Sequence, residues 1–242
     1  MKAKFLLAGD RAVSVQLGEE ISLEVNRRVR MLFLKLTSDP VMGITEMVPT
    51  YAALMVHYRP DKIRFERLKE EIQRRLETMD QDETPRGVVK EIPICYGGEL
   101  GPDLEDCAEL EQVSEEELIR IHSGQEYYCY MLGFAPGHAY TARFSESFRF
   151  ERRESPRLSV PGGSIAVQLN LSNLIPFAQP CGWNIIGATP VAICDYSRED
   201  PFLIHAGEWV RYVPVSLKEY GQIKEAVGKG TYRLKSYEKA VR

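Results

Sequence analysis

SVPGGSIAVQLNLSNLIPFAQPCGWNIIG, residues 159–187, decides the architecture of the larger part of this chain. Three pieces of it, SIAVQL, NLIPF and WNIIG, are rich in strand-forming residues and are set apart by glycine, proline and asparagine, so each reads as a short strand. The same texture runs from Tyr127 to Val215, where YYCYML, FRFER, PVAICDY, FLIHA and EWVRYVPV are further pieces of this kind. Many short strands with frequent turn signals predict a barrel or sandwich. Two short helices, opened by Asp103 and Ser114, precede the strands. Ser114 and Glu117 stand in the S-x-x-E relation of a capping box, and Gly124 can end that helix. A last helix is expected over about 216–227.

Upstream the texture differs. KFLLAGDRAVSVQL reads as a hairpin around Gly9-Asp10, and Ser22 then caps a helix whose Ile21, Val25, Val29, Leu32 and Leu36 recur at helical spacing. ITEMVPTYAALMVHY repeats the pattern as two strands broken by Pro49. Asp61 is read as the cap of a second helix, with Phe65, Leu68, Ile72 and Leu76 on one face. After the polar DQDETPRG, VVKEIPICY reads as a strand, and Pro93 favours an edge position for it. Residues 1–95 thus read ββαββαβ, a ferredoxin-like α/β sandwich, and residues 96–242 form the second domain of an α+β protein.

Net charge is −4, from 31 basic and 35 acidic residues, which leaves no basic excess for nucleic acid. No apolar run approaches the roughly 18 residues of a membrane span, and the opening MKAKFLLAGDRAV is too quickly charged for a signal peptide. The expectation is a cytoplasmic protein that contacts neither nucleic acid nor membrane. Five cysteines without a C-x-x-C spacing argue against a disulfide framework and a zinc site.

Chemistry could sit in three places. GFAPGHAYTARF, residues 133–144, holds His138 with Tyr140 and Arg143 behind it; glycines at 133 and 137 free the backbone, and His138 could act as donor or general acid. The same residues also describe a plain turn between strands, and the stretch alone leaves both readings open. FERRESPRLSVPGGS sets Arg152, Arg153 and Arg157 ahead of a Pro-Gly-Gly turn, either as a holder of an anionic substrate or as a solvated face paired with Glu151 and Glu154. PCGWNIIGATP carries Cys181, with no histidine nearby to make it a nucleophile, and Trp183. His57, His122 and His205 read as surface or capping histidines, and no zincin spacing occurs among them. VGKGTY at 227–232 trails a helix and so is no Walker A loop; Ser164 is followed two residues later by alanine, so there is no nucleophile elbow.

The order of several stretches resembles one family: GDRAVSVQLG at 9–18, EVNRRVR at 24–30, VPTYAALMVHY at 48–58, IPICYGGELGPDLEDCA at 92–108, IHSGQEYYCYMLGFAPG at 121–137, SPRLSVPGGSIAV at 155–167, GWNIIGATP at 182–190 and RYVPV at 211–215. It is the family of the 5-oxoprolinase B subunit, also known as kinase A inhibitor or allophanate hydrolase subunit 1. The resemblance implies a cyclophilin-like β-barrel after the N-terminal domain. It implies work beside a second, likewise cyclophilin-like subunit (C-type) and an A-type subunit, the assembly cleaving the lactam 5-oxo-L-proline to L-glutamate with ATP. Other relatives inhibit a sporulation histidine kinase or are fused within urea-processing enzymes, and these are the alternative roles.

Taken together, these stretches give a candidate site with His138, Arg153 and Arg157 as catalytic groups. Gly133, Phe134, Pro136, Gly137, Tyr140, Pro161, Gly162, Gly163, Ser164 and Trp183 are its substrate-binding residues, and it has no metal. Opening a lactam whose oxygen has been phosphorylated needs anion holders more than a nucleophile. The chain departs from the family at His138-Ala139, Gln168–Asn173, Gln179–Cys181 and Ala188, all in the loops that would form the site, so the pocket is either retuned or given over to an interaction role.

Overall fold

The computed structural model describes residues 3–79, 87–141 and 148–239, which fall into two compact units, one ending at Arg86 and the other beginning at Gly87. The first unit is a four-stranded antiparallel sheet with two helices. Strands β1 (Lys4–Leu7) and β2 (Ala12–Gln16) form the expected hairpin, with Gly9 at φ +68°. Helix α1 (Leu23–Ser38) starts where the Ser22 hydroxyl accepts the Val25 N–H. Strands β3 (Ile44–Pro49) and β4 (Ala53–Tyr58) follow, and the sheet order is β1-β2-β4-β3. Helix α2 (Phe65–Met79) completes the unit. Asp61 does not cap it; its carboxylate is held by the Arg59 guanidinium at 2.8 Å instead. Alternation along β4 turns Leu54, Val56 and Tyr58 to one face, where they pack with Val29, Leu32, Leu68 and Ile72.

The second unit is a mixed, barrel-like sheet. Strand β5 (Gly87–Tyr96) does not join the first sheet: it pairs in parallel with β13 (Trp209–Pro214) and antiparallel with β12 (Asn184–Ala188) and β14 (Lys235–Lys239). The boundary therefore lies at Gly87 rather than after residue 95, because the bonding partners of this strand all come late in the chain. Pro93 is inside a central strand, not an edge. The pairing on one side of β5 breaks between the β14 and β12 segments, over residues 92–94, and a missing N–H is tolerated there.

The sheet runs β10 (Leu171–Leu174), β9 (Ser164–Gln168), β12, β5, β13, β6 (Glu126–Leu132), β7 (Ala139–Thr141). Its two end strands meet: the Thr141 hydroxyl in β7 donates to the Ser172 carbonyl in β10 at 2.8 Å, so the sheet is nearly closed around Ile92, Tyr127, Phe150, Ile165, Ile186 and Tyr212. A separate two-stranded ribbon joins β8 (Arg157–Val160) to β11 (Gln179–Cys181). PVAICDY and FLIHA form no strand and meet only at a bridge between Cys194 and Phe202. Most of FRFER's approach, residues 142–147 with Arg143, lies outside the described residues, as does the 80–86 connection.

Helices α3 (Leu104–Leu110) and α4 (Glu115–Ser123) lie where expected, and the Ser114 hydroxyl accepts the Glu117 N–H. Asp103 sits at the start of α3, but its carboxylate caps nothing there. Helix α5 (Leu217–Gly228) buries no residue, so its end contacts matter; Ser216 and Glu219 form a complete capping box. Ser216→Ala is expected to cost about 1 kcal/mol of local helix stability. Amide exchange across 219–228 should quicken about fivefold, and unchanged exchange would refute the assignment. No helix among the described residues is long and apolar enough to cross a membrane.

Candidate functional site

The seam where β7 meets β10 carries a pocket of about 260 Å³. The GFAPG turn between β6 and β7 forms one wall. Gly133 N–H donates to the His138 carbonyl at 3.1 Å, Ala135 N–H to the Gly133 carbonyl at 2.7 Å and His138 N–H to the Ala135 carbonyl at 3.0 Å. Gly137 has φ +76°, and a Cβ there would come within 3.1 Å of the Cys194 side chain. Phe134, which is not glycine, is held at φ +67° and is 80% exposed, a strained backbone of the kind that gathers at ligand sites. The stretch is thus a tight turn and a pocket wall at once.

His138 is 7% exposed and stands edge-on to Phe134 and Tyr140, with ring centroids 5.6 and 5.3 Å away. The Asn173 amide donates to the Ser172 carbonyl at 2.9 Å and the Ala139 carbonyl at 3.2 Å, which leaves its oxygen to accept from His138 Nε2 at 3.3 Å. That bond puts the proton on Nε2 and leaves Nδ1 with a lone pair, buried and without a partner among the described residues. Burial pushes the His138 pKa below its ordinary value, so the ring is neutral at pH 7. Ser172, the preceding residue of β10, faces the other way and bonds His122 Nε2 at 2.7 Å.

His122 is not a surface histidine: it is fully buried, bonded through Nδ1 to the Tyr96 hydroxyl at 2.7 Å and stacked on Tyr212 at 4.7 Å. Desolvation takes its pKa down to about 3. His205 does lie at the surface, where a hydrogen bond to Glu208 raises its pKa.

The arginines divide. Arg153 and Arg157 do not reach the pocket: both are held by Asp103, 3% exposed, with Arg153 Nη1 at 2.7 Å from Oδ1 and Arg157 forking onto both oxygens at 2.7 and 2.8 Å. The arginine lining the pocket is Arg152, together with Phe134, His138, Tyr140, Asn173 and Trp183. Of the arginine run in the sequence, Arg152 borders the pocket and Arg153 and Arg157 do not.

Pro161 to Ser164 form the turn between β8 and β9 and do not line the pocket. Gly163, at φ +88°, donates to the Ile175 carbonyl and accepts from Thr189 N–H, at 2.7 and 2.9 Å, while buried Ser164 accepts from Ile175 N–H through its carbonyl. This turn stitches strands together. Pro136 shapes the opposite turn. Cys181 accepts from the Trp183 N–H at 3.4 Å. Among the described residues no three His, Cys, Asp or Glu side chains gather as a metal site would require.

A small helix-backed sheet followed by a barrel-like sheet, with a cavity lined by a neutral histidine and an arginine at its seam, defines a two-unit mixed α/β protein. The chain belongs to the family described as carboxyltransferase domain, subdomain C and D, whose profile matches residues 3–204. It is 37% identical over 227 residues to the 5-oxoprolinase B subunit of Bacillus subtilis, covering 90% of this chain and 95% of that one. It is 34% identical over 214 residues to the 5-oxoprolinase B subunit of Escherichia coli O157:H7, covering 88% and 96%. Among solved structures, the Kluyveromyces lactis urea amidolyase aligns with 98% of this chain over 16% of its own, with a TM-score of 0.75 and 17% identity, a likeness of fold alone.

Proposed function

We propose that this chain is the B subunit of a multi-component, ATP-dependent 5-oxoprolinase that cleaves 5-oxo-L-proline to L-glutamate in the cytoplasm. Its partners in that assembly are a second, cyclophilin-like subunit of the C type and an A-type subunit. The observation that carries the reading is the near end-to-end likeness, at 37% and 34% identity, to relatives of that name. The finer fold labels go with it. Two helices against one face of an antiparallel sheet support a ferredoxin-like first unit, and a curled sheet whose end strands meet supports a cyclophilin-like second one.

Within that assembly this chain supplies the pocket at the seam, where His138, Tyr140, Phe134 and Trp183 would face the substrate. Gly133, Pro136 and Gly137 fix the wall, and Pro161 to Ser164 hold the strands behind it. Arg153 and Arg157 serve by locking Asp103 to the ribbon. The glycine-flanked Lys229 does not suit a nucleotide phosphate: it closes the C-terminal end of α5 and pairs with Glu225, and that end presents carbonyls. The reading therefore places ATP on the partner subunits.

The test is glutamate release from 5-oxoproline and ATP by the two partner subunits, with and without this chain. Release that requires the chain is the expected result; equal release in its absence would overturn the proposed role.

A further inference from the structure

We infer that the seam pocket of this chain is by itself a binding site for a small carboxylate that also carries an N–H, and that Arg152 and His138 read those two groups. The choice of 5-oxoproline as the ligand rests on the 5-oxoprolinase reading; the recognition chemistry rests on the residues.

Arg152 is the cation. Its neighbours Arg153 and Arg157 are spent on Asp103, whereas Arg152 has no hydrogen bond or ion pair among the described residues and lines the pocket. The backbone on either side fixes its place. The Glu151 carbonyl accepts from Asn184 Nδ2 at 2.8 Å, and Arg153 N–H donates to the Gly182 carbonyl at 2.9 Å, so the segment is clamped to residues 182–184. The guanidinium then lies on the bare α-carbon of Gly182: a Cβ there would stand 2.5 Å from Nε and 3.0 Å from Nη2. A planar fork held flat at a pocket wall is suited to a carboxylate.

His138 is the acceptor. With Nε2 donating to Asn173, its Nδ1 is a buried lone pair with no donor among the described residues, and such a group is uncommon unless something outside the chain fills it. A ligand N–H would do so, and the neutral ring can accept it at pH 7. Of the two rings edge-on to the imidazole, Phe134 and Tyr140, Phe134 is already 80% in water, so its side chain can move aside for a ligand without disturbing the core. The volume, about 260 Å³, is below the roughly 300–1,000 Å³ of drug-sized sites and fits a small acid.

The experiment is calorimetric titration of the whole purified chain with three probes: 5-oxoproline, 2-pyrrolidinone, which lacks the carboxylate, and N-methyl-5-oxoproline, which lacks the N–H. We expect 5-oxoproline to bind at up to millimolar concentration and each analogue to bind about tenfold more weakly or worse. Arg152→Met should weaken 5-oxoproline about tenfold or more while leaving 2-pyrrolidinone unchanged. Gly182→Ala keeps every charge but displaces the guanidinium, and should act in the same direction. His138→Phe should erase the preference for the N–H over the N-methyl form. Unchanged melting midpoints would exclude misfolding as the cause, and any variant that fails to fold leaves the wild-type comparison of the three probes to decide. Absence of saturable 5-oxoproline binding, or equal affinity for all three probes, would overturn the site and leave the requirement of the assembly for this chain as a separate result.

Discussion

Asp103→Ala is expected to remove about 3–5 kcal/mol of unfolding free energy from the second unit, as breaking a buried ion pair from one side does. Asp103 is clasped from four directions. Its amide donates to the Ile185 carbonyl at 3.0 Å, its Oδ2 accepts from the Ile185 N–H at 2.7 Å, and Arg153 and Arg157 converge on the same carboxylate. Removing it strands two arginine side chains that are 32% and 28% exposed and leaves a buried backbone N–H without an acceptor. Domains are stable by roughly 5–15 kcal/mol, so the loss takes a large share of the total. Urea denaturation followed by tryptophan fluorescence reads it, since Trp183 and Trp209 are both in this unit. Replacing all three charged residues together, Asp103→Leu with Arg153→Met and Arg157→Met, should restore much of the loss, because no charge is then left unpaired. A cost below about 1 kcal/mol for Asp103→Ala would mean that water satisfies the arginines.

The second large effect is a dependence on pH set by His122. The buried ring titrates at about 3 when folded, against an ordinary value near 6.5 in the unfolded chain. Between those values the unfolded state binds a proton that the folded state refuses, so stability falls as pH falls, up to tenfold in the folding equilibrium per pH unit. His138, lowered in the same direction by burial, adds to the slope below pH 6.5. His205 opposes them: its pKa is raised, so its contribution is present below pH 6.5 and is lost as pH rises through its folded value. The expected result is a steep loss of stability from pH 6.5 towards 4.5, with one proton fewer in the slope for His122→Gln. A folded-state titration of His122 by NMR with a midpoint near 6.5 would contradict the account.

Periodicity made the first unit legible almost strand by strand, because its pairing partners are near neighbours in sequence: β1 with β2, β3 with β4. The destination of VVKEIPICY was not legible, since nothing local distinguishes a strand that closes one sheet from a strand that opens another. Asp103 reads as a helix cap from composition, and only the arrival of Arg153 and Arg157 from far along the chain gives its carboxylate other work. The same event hid Arg152: three arginines in one stretch look alike until two of them are used. His122 shows the reverse error. A histidine beside a Ser-Gly helix end looks exposed, yet Tyr96 and Ser172, from strands on either side in sequence, enclose it.

Strand β5 carries one further consequence, for the order in which the polypeptide acquires structure on the ribosome. Val89 lies opposite Trp209, and Lys235 opposite Glu91, so apart from Cys95 and Tyr96, which pair with β12, this central strand has no partner until nearly all of the described chain has emerged. At roughly 5–20 residues per second, translation holds it waiting on the order of 10 s. The first sheet can complete itself in that interval. Val89, Ile92 and Ile94, all fully buried at the end, meanwhile stand in the open as an apolar β-prone segment. Nascent chains halted before residue 209 are the ones that would call on a chaperone.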